Sequence, residues 1–142
     1  MKPIAVSIRQ PWAHLLLSRD MPIANMDWTT AYRGDLLIHA SRSHTRREWD
    51  KARHWIESHK FQGVDLPPMS ELPVGAIVGR AKLTRVTQAH KSPWSQPGFY
   101  HWVFEEPEHL LPWEHRGQQG LFTASHPLAT SPTHSLYPPF PW

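Results

Sequence analysis

An indole face, a forked amide and a guanidinium are the groups that can read a nucleic-acid base and hold a phosphate. Residues 9–94 of this chain supply all three. Trp12, Trp28 and Trp94 offer faces on which a base could stack, worth about 1–3 kcal/mol per base in single-stranded recognition. Gln10 carries a bidentate amide able to pair with a base edge, and Asn25 could hydrogen-bond one. Arg9 and Arg33 could take phosphate, and Lys91 could do so as a point charge. Each residue also has a plainer use. Tryptophans fill cores, and Arg33 could sit in a turn paired with Asp35 or Asp27.

Proton transfer would fall to histidine. RNA cleavage needs a general base near a ribose hydroxyl and a cation on the phosphate. His14, His39, His101 and His115 lie in segments expected to be structured. His39 sits in an apolar strand, where a core histidine bonded to backbone is the commoner use. Ser41 reads as a strand-end hydroxyl. There is no Gly-x-Ser-x-Gly elbow. No metal site is expected: His54 and His59 have the wrong helical spacing, as do His109 and His115, and His-Glu-x-x-His is absent. The scattered glycines form no phosphate-cradling loop. With no cysteine at all, disulfides, thiol nucleophiles and thiolate zinc sites are excluded.

The elements that must position these residues follow from pattern. Ile4 to Ile8 alternates as a strand. Pro11 suits the first turn of a helix that continues through His14 to Arg19 and stops at Pro22. Ile23 to Trp28 and Leu36 to Ala40 read as strands around a Tyr32-Arg33-Gly34 turn. Thr45-x-x-Glu48 is a capping-box pattern, which predicts a helix from Arg46 to His59. Trp49, Ala52 and Ile56 share one face of it. Its basic residues could track phosphates, but Glu48, Asp50 and Glu57 dilute them, so an amphipathic helix covering a barrel end is favoured. Residues 61–73 read as a loop. Val74 to Gln88 predicts a long strand with a bulge near Gly79. Residues 89–98 read as a loop. Phe99 to Glu105 follows as a strand, then an irregular edge strand over 106–116 with Pro107 and Pro112. Gly120 to Ala124 ends the set. Residues 126–142 are proline-rich and predict a polyproline-like tail.

These residues carry a family resemblance. Ser7-Ile8-Arg9-Gln10-Pro11-Trp12-Ala13, Trp28, Tyr32-Arg33-Gly34 and Leu36-Leu37-Ile38-His39-Ala40-Ser41 resemble the ASCH family of the PUA-like superfamily. So do Gly75-Ala76-Ile77-Val78-Gly79, Ser92-Pro93-Trp94 and Arg116-Gly117-Gln118-Gln119-Gly120-Leu121-Phe122. The matches run in the family's order over residues 3 to about 125. The resemblance implies a small β-barrel with helices at its openings. It also implies a cleft for RNA or modified nucleosides, faced by the Gln-Pro-Trp segment and by the segment after the first helix. One departure matters. The family's Gly-x-Lys-x-x-Glu-x-Arg signature falls on Arg19, Met21, Ala24 and Met26, so its lysine, acid and arginine are missing. The acetylcytidine amidohydrolase mechanism of one branch cannot run on methionine and alanine. Met21 and Met26 would instead give an apolar opening suited to a flat base.

Composition sets the bounds. A chain of 142 residues with eight tryptophans can build one core, and fifteen prolines argue against an all-helical protein. No apolar run is long enough for a membrane span, and the start lacks a signal peptide's apolar region. A net charge of +3 only weakly favours nucleic acid. The expectation is therefore an α+β, PUA-like domain over residues 1–125 with a tail over 126–142, cytoplasmic and without a cofactor. The favoured function is a non-catalytic module that binds RNA or single-stranded nucleic acid, including one modified base. The enzyme question stays open: the alternative is a modified-nucleoside amidohydrolase or ribonuclease using other residues. A third reading is a protein-interaction module that meets its partner through the tail or an exposed tryptophan patch.

Overall fold

The computed structural model describes residues 3–43, 45–59, 61 and 63–125. The proline-rich tail and its expected role lie outside the described residues. Six strands form one mixed sheet: β1 (Ile4–Ile8), β2 (Ile23–Met26), β3 (Gly34–Ala40), β4 (Ala76–Thr87), β5 (Tyr100–Glu114) and β6 (Phe122–Thr123). Among the described residues two α-helices, α1 (Trp12–Leu17) and α2 (Arg46–Ser58), and one 3-10 turn, Met69–Glu71, accompany them. The strand order is β2-β5-β4-β3-β1-β6. β1 and β3 run parallel, and every other pair is antiparallel. The domain is thus α+β, as expected. The barrel implied by the resemblance is not closed: β2 and β6 are free edges of the hydrogen-bonded order.

Apolar runs in β1 and β3 are continuous because both faces of the sheet are covered there. Val6, Ile8, Leu36, Ile38 and Ala40 join the larger core with the α1 leucines, Leu83, Trp102 and Phe104. Ala5 and Leu37 point the other way, into a smaller core with Ile77, Trp113 and Phe122. The polar residues that continue this second face are Ser7 and His39, which lie side by side in the parallel register.

α1 has no side-chain cap at Pro11, yet the Gln10 Oε1 accepts the His14 N–H at 3.0 Å. α2 begins as expected, with Thr45 accepting the Glu48 N–H at 3.2 Å. The Glu48 carboxylate does not complete the reciprocal box; it reaches Arg9 at 2.9 Å. Both partners are substantially exposed, so the ion pair contributes about 0–1 kcal/mol and serves mainly to tie α2 to the end of β1.

The bulge expected near Gly79 is present, with Ile38 opposite Gly79 and His39 opposite Ile77. Glycine is needed there because a Cβ would stand 2.5 Å from the Glu108 carbonyl oxygen and 2.5 Å from the Leu17 side chain. The irregular edge strand expected over 106–116 has that edge character, but it is the second half of one long β5 paired with β4 and not a strand of its own. Pro107 and Pro112 fit because β2 pairs only with Tyr100 to Val103. Beyond those residues, no described strand needs the N–H groups on that side. Gly79→Ala should lower stability by about 1–3 kcal/mol through overpacking, read as a lower urea midpoint; an unchanged midpoint would contradict the close approach.

Candidate nucleic-acid interface

Two clefts meet at the carboxyl end of β1. The first, about 970 Å³, lies beside the second face of the sheet. Its charged lining is Arg9, Arg42, Arg116 and Asp27, with Ser7, His39 and His115 among its other residues. The second, about 730 Å³, opens between the end of β1 and β2. It is lined by Trp12, Trp28, Trp55 and Phe99 and by Met21, Ala24 and Met26. Ser7, Arg9, Asp27 and Trp28 line both clefts. Charge is balanced in the second, where Arg9 and Lys51 face Asp27 and Glu48. The first has three arginines against one carboxylate, so an anion would be drawn there.

The expected residues divide into three groups. Arg9, Trp12 and Trp28 line the clefts with exposed surface. Trp28 is held by an edge-on contact with the buried Trp102 at 4.7 Å, and the Trp102 indole N–H donates to the Trp28 carbonyl at 3.1 Å. Trp12 meets Trp55 edge-on at 5.8 Å.

Gln10 and Asn25 also touch the second cleft, but both amides are engaged in the fold. Gln10 is 5 % exposed and donates to the Pro73 carbonyl at 3.0 Å while capping α1. Asn25 donates to the Trp94 carbonyl and accepts the Gln96 N–H, each at 2.9 Å. Neither keeps the free bidentate edge that base reading requires.

Arg33, Lys91 and Trp94 line neither cleft. Arg33 donates to the Thr30 and Tyr32 carbonyls, rather than pairing with Asp35 or Asp27. Lys91 is exposed in the loop after β4. Trp94 is 5 % exposed and stacks on Phe61 with centroids 3.7 Å apart.

The histidines separate as clearly. His101 is buried and structural: its Nε2–H donates to the Gln96 carbonyl, and its Nδ1 accepts the His90 N–H. His14 lies beside His109 at 5.6 Å, with Ser18 bonded to both rings. His39 lies at the base of the first cleft. Its Nε2 is 2.8 Å from the His115 carbonyl oxygen and its Nδ1 is 2.9 Å from Ser7 Oγ. A carbonyl can only accept, so Nε2 carries the proton of the neutral ring and Nδ1 accepts from Ser7. Both ring nitrogens are therefore occupied, and His39 can act on a ligand only through Ser7. His115 is fixed in turn by its Nδ1–H on the Arg116 carbonyl. Gly117 covers the pair closely: a Cβ would lie 2.6 Å from His39 Cε1 and 3.1 Å from Ser7 Oγ.

Desolvation pushes His39 below the ordinary histidine value, opposed by its bond to the His115 carbonyl and reinforced by the charges of His115 and Arg42. Burial also lowers His90 and His109. Among the described residues, no group of three histidines or carboxylates is placed to hold a metal ion, and no helix is long and apolar enough to cross a membrane.

Sequence reasoning missed the Ser7–His39 pair and the two arginines Arg42 and Arg116. A usable signal existed for the pair: Ser7 is the one polar residue of Ile4–Ile8, and His39 the one polar residue between Leu36 and Ala40. Neither family models nor curated proteins give a match to this chain.

Two outcomes check this geometry. Gln10→Ala should cost about 1–3 kcal/mol of stability, because the His14 N–H and the Pro73 carbonyl lose their partner. A change in ligand preference at unchanged stability would contradict it. The lowered histidines also set a pH dependence. Below their ordinary value of about 6.5 the unfolded chain binds more protons than the folded one. Their contribution is then complete above that value and lost as pH falls toward the folded values. Urea midpoints should drop as pH falls below about 6.5, less steeply in His39→Gln; an equal drop in both would contradict the assignment to His39.

Proposed function

We propose that this chain is an ASCH-type, PUA-like domain that binds single-stranded nucleic acid, RNA in the first instance, across the two joined clefts. The observation that carries this reading is the division of labour at their shared wall. Arginine dominates one side and half-buried aromatic surface the other, with Arg9 and Trp28 common to both. A nucleotide has the same division, an anionic phosphate joined to a flat base. The base would enter the second cleft against Trp12 and Trp28, with Met21 and Met26 making the floor apolar. The phosphates would lie in the first cleft with Arg9, Arg42 and Arg116.

The motif resemblance of residues 3 to about 125 supports the same class of ligand, and the methionines at the signature positions favour binding over that family's chemistry. In this reading Gln10 and Asn25 build the cleft wall, and base preference arises from stacking and cleft shape. A cytoplasmic setting accords with an RNA ligand.

Labelled single-stranded RNA should bind with an affinity that falls as salt rises. Arg42→Ala and Arg116→Ala should each weaken binding to every sequence and reduce the slope of log affinity against log salt by about 0.7. Trp12→Leu should cost about 1–3 kcal/mol of binding. Arg33→Ala, outside the clefts, should leave binding unchanged. Binding that ignores salt, or that is lost with Arg33 and kept without Arg42 and Arg116, would contradict the proposal.

A further inference from the structure

Base and phosphate recognition leave the Ser7–His39 pair unused. Ser7 is half-buried on the wall of the first cleft. Its hydroxyl donates to a histidine whose other nitrogen is held by a backbone carbonyl. A hydroxyl, a base and an orienting acceptor in that order make up the arrangement that activates an oxygen nucleophile.

We propose that Ser7 is a nucleophile activated by His39, and that the first cleft hydrolyses carboxylic esters carried on a phosphorylated substrate. The substrate class rests on the nucleotide-binding reading above; the nucleophile does not. Ser7 Oγ attacks the ester carbonyl carbon, and its proton passes to His39 Nδ1. The carbonyl π pair moves onto oxygen, and that oxyanion forms in a cleft whose charged lining is mainly guanidinium. As the carbonyl re-forms, the ester C–O bond breaks and the departing alkoxide takes the proton from Nδ1. Water then attacks the acyl-Ser7 carbonyl and gives its proton to His39. Collapse releases the carboxylic acid and returns the proton to Ser7. The sum is ester plus water to acid plus alcohol.

Two features favour an ester. One base beside one tetrahedral carbon can both receive and return the proton, whereas in-line phosphoryl transfer places its leaving group on the far side of phosphorus. His39 is also backed by a neutral carbonyl instead of a carboxylate, a weaker base pair that suits an alkoxide leaving group better than an amine.

The test treats the full chain with a fluorophosphonate probe, 4-nitrophenyl acetate and 3′-O-acetyladenosine 5′-monophosphate, and maps modified peptides by mass spectrometry. The probe and the acetyl group should be found on Ser7. Ser7→Ala should abolish both, and His39→Gln should slow both by about a hundredfold or more. Should His39→Gln fail to fold, the pH profile of the unaltered chain carries the same information. Labelling should fall as pH drops and His39 takes a proton, with His115, Arg9, Arg42, Arg116 and Asp27 the other charged or titratable groups lining its cleft. Ser7 left unmodified while exposed Ser43 reacts, or a rate indifferent to pH and to His39, overturns the nucleophile. Hydrolysis without preference for the phosphorylated ester overturns the substrate class. RNA binding without Ser7 reactivity leaves the binding function standing and this inference refuted.

Discussion

The parallel pairing of β1 with β3 is the constraint on which the rest depends. Both strands are short, and both are buried on two faces. Their register sets Ala5 beside Leu37, Val6 beside Ile38 and Ser7 beside His39. A slip of one residue would turn every side chain to the opposite face and strand the two polar residues among leucines. In the observed register they satisfy one another at the edge of the smaller core, where the sheet gives way to solvent. The same register brings the ends of both strands to one place. Gln10 and Ser41 leave from that end, and Gly75 and His115 are tied to it by backbone hydrogen bonds. The clefts are what remains when four chain segments converge on a sheet that does not close.

Electrostatics then distinguishes the two clefts without moving any backbone. Glu48 could have completed its own helix cap; it turns to Arg9 and brings a carboxylate into the second cleft. On the other side Arg42 pairs, among the described residues, with Glu114 at 3.8 Å, and both side chains are well exposed, so its charge remains available to a ligand. The asymmetry arises from a few surface side chains around a shared wall. A net charge of +3 for the whole chain gives no hint of it.

Much of the fold was legible in the sequence because its signals are local. β1 occupies Ile4–Ile8 as its alternation indicates, and α2 starts behind its Thr45 cap. The bulge appears beside a glycine at which a Cβ would crowd the Glu108 carbonyl and Leu17. What failed to show was set by distant partners. Pro107 and Pro112 mark the one-sided stretch correctly, but they read as a separate strand, because sequence does not reveal that β4 pairs along the length of β5. Gln10 and Asn25 read as free amides because three of their four partners lie 63 to 71 residues away, the His14 N–H being the exception. His39 read as a core histidine, which describes its burial and misses its partner, since only the parallel register places Ser7 beside it. Trp94 and Trp28 look alike in sequence; one is stacked beneath Phe61 and the other stands on the wall of both clefts.

The most direct test of the central claim uses the tryptophans as internal reporters. Indole N–H resonances would be followed while single-stranded RNA is added at low and at high salt. Trp12 and Trp28 should shift, more strongly at low salt, while the buried Trp94 and Trp102 stay in place. Unmoved Trp12 and Trp28 signals in the presence of demonstrable RNA binding would contradict the account, because the strand would then be held somewhere other than the joined clefts.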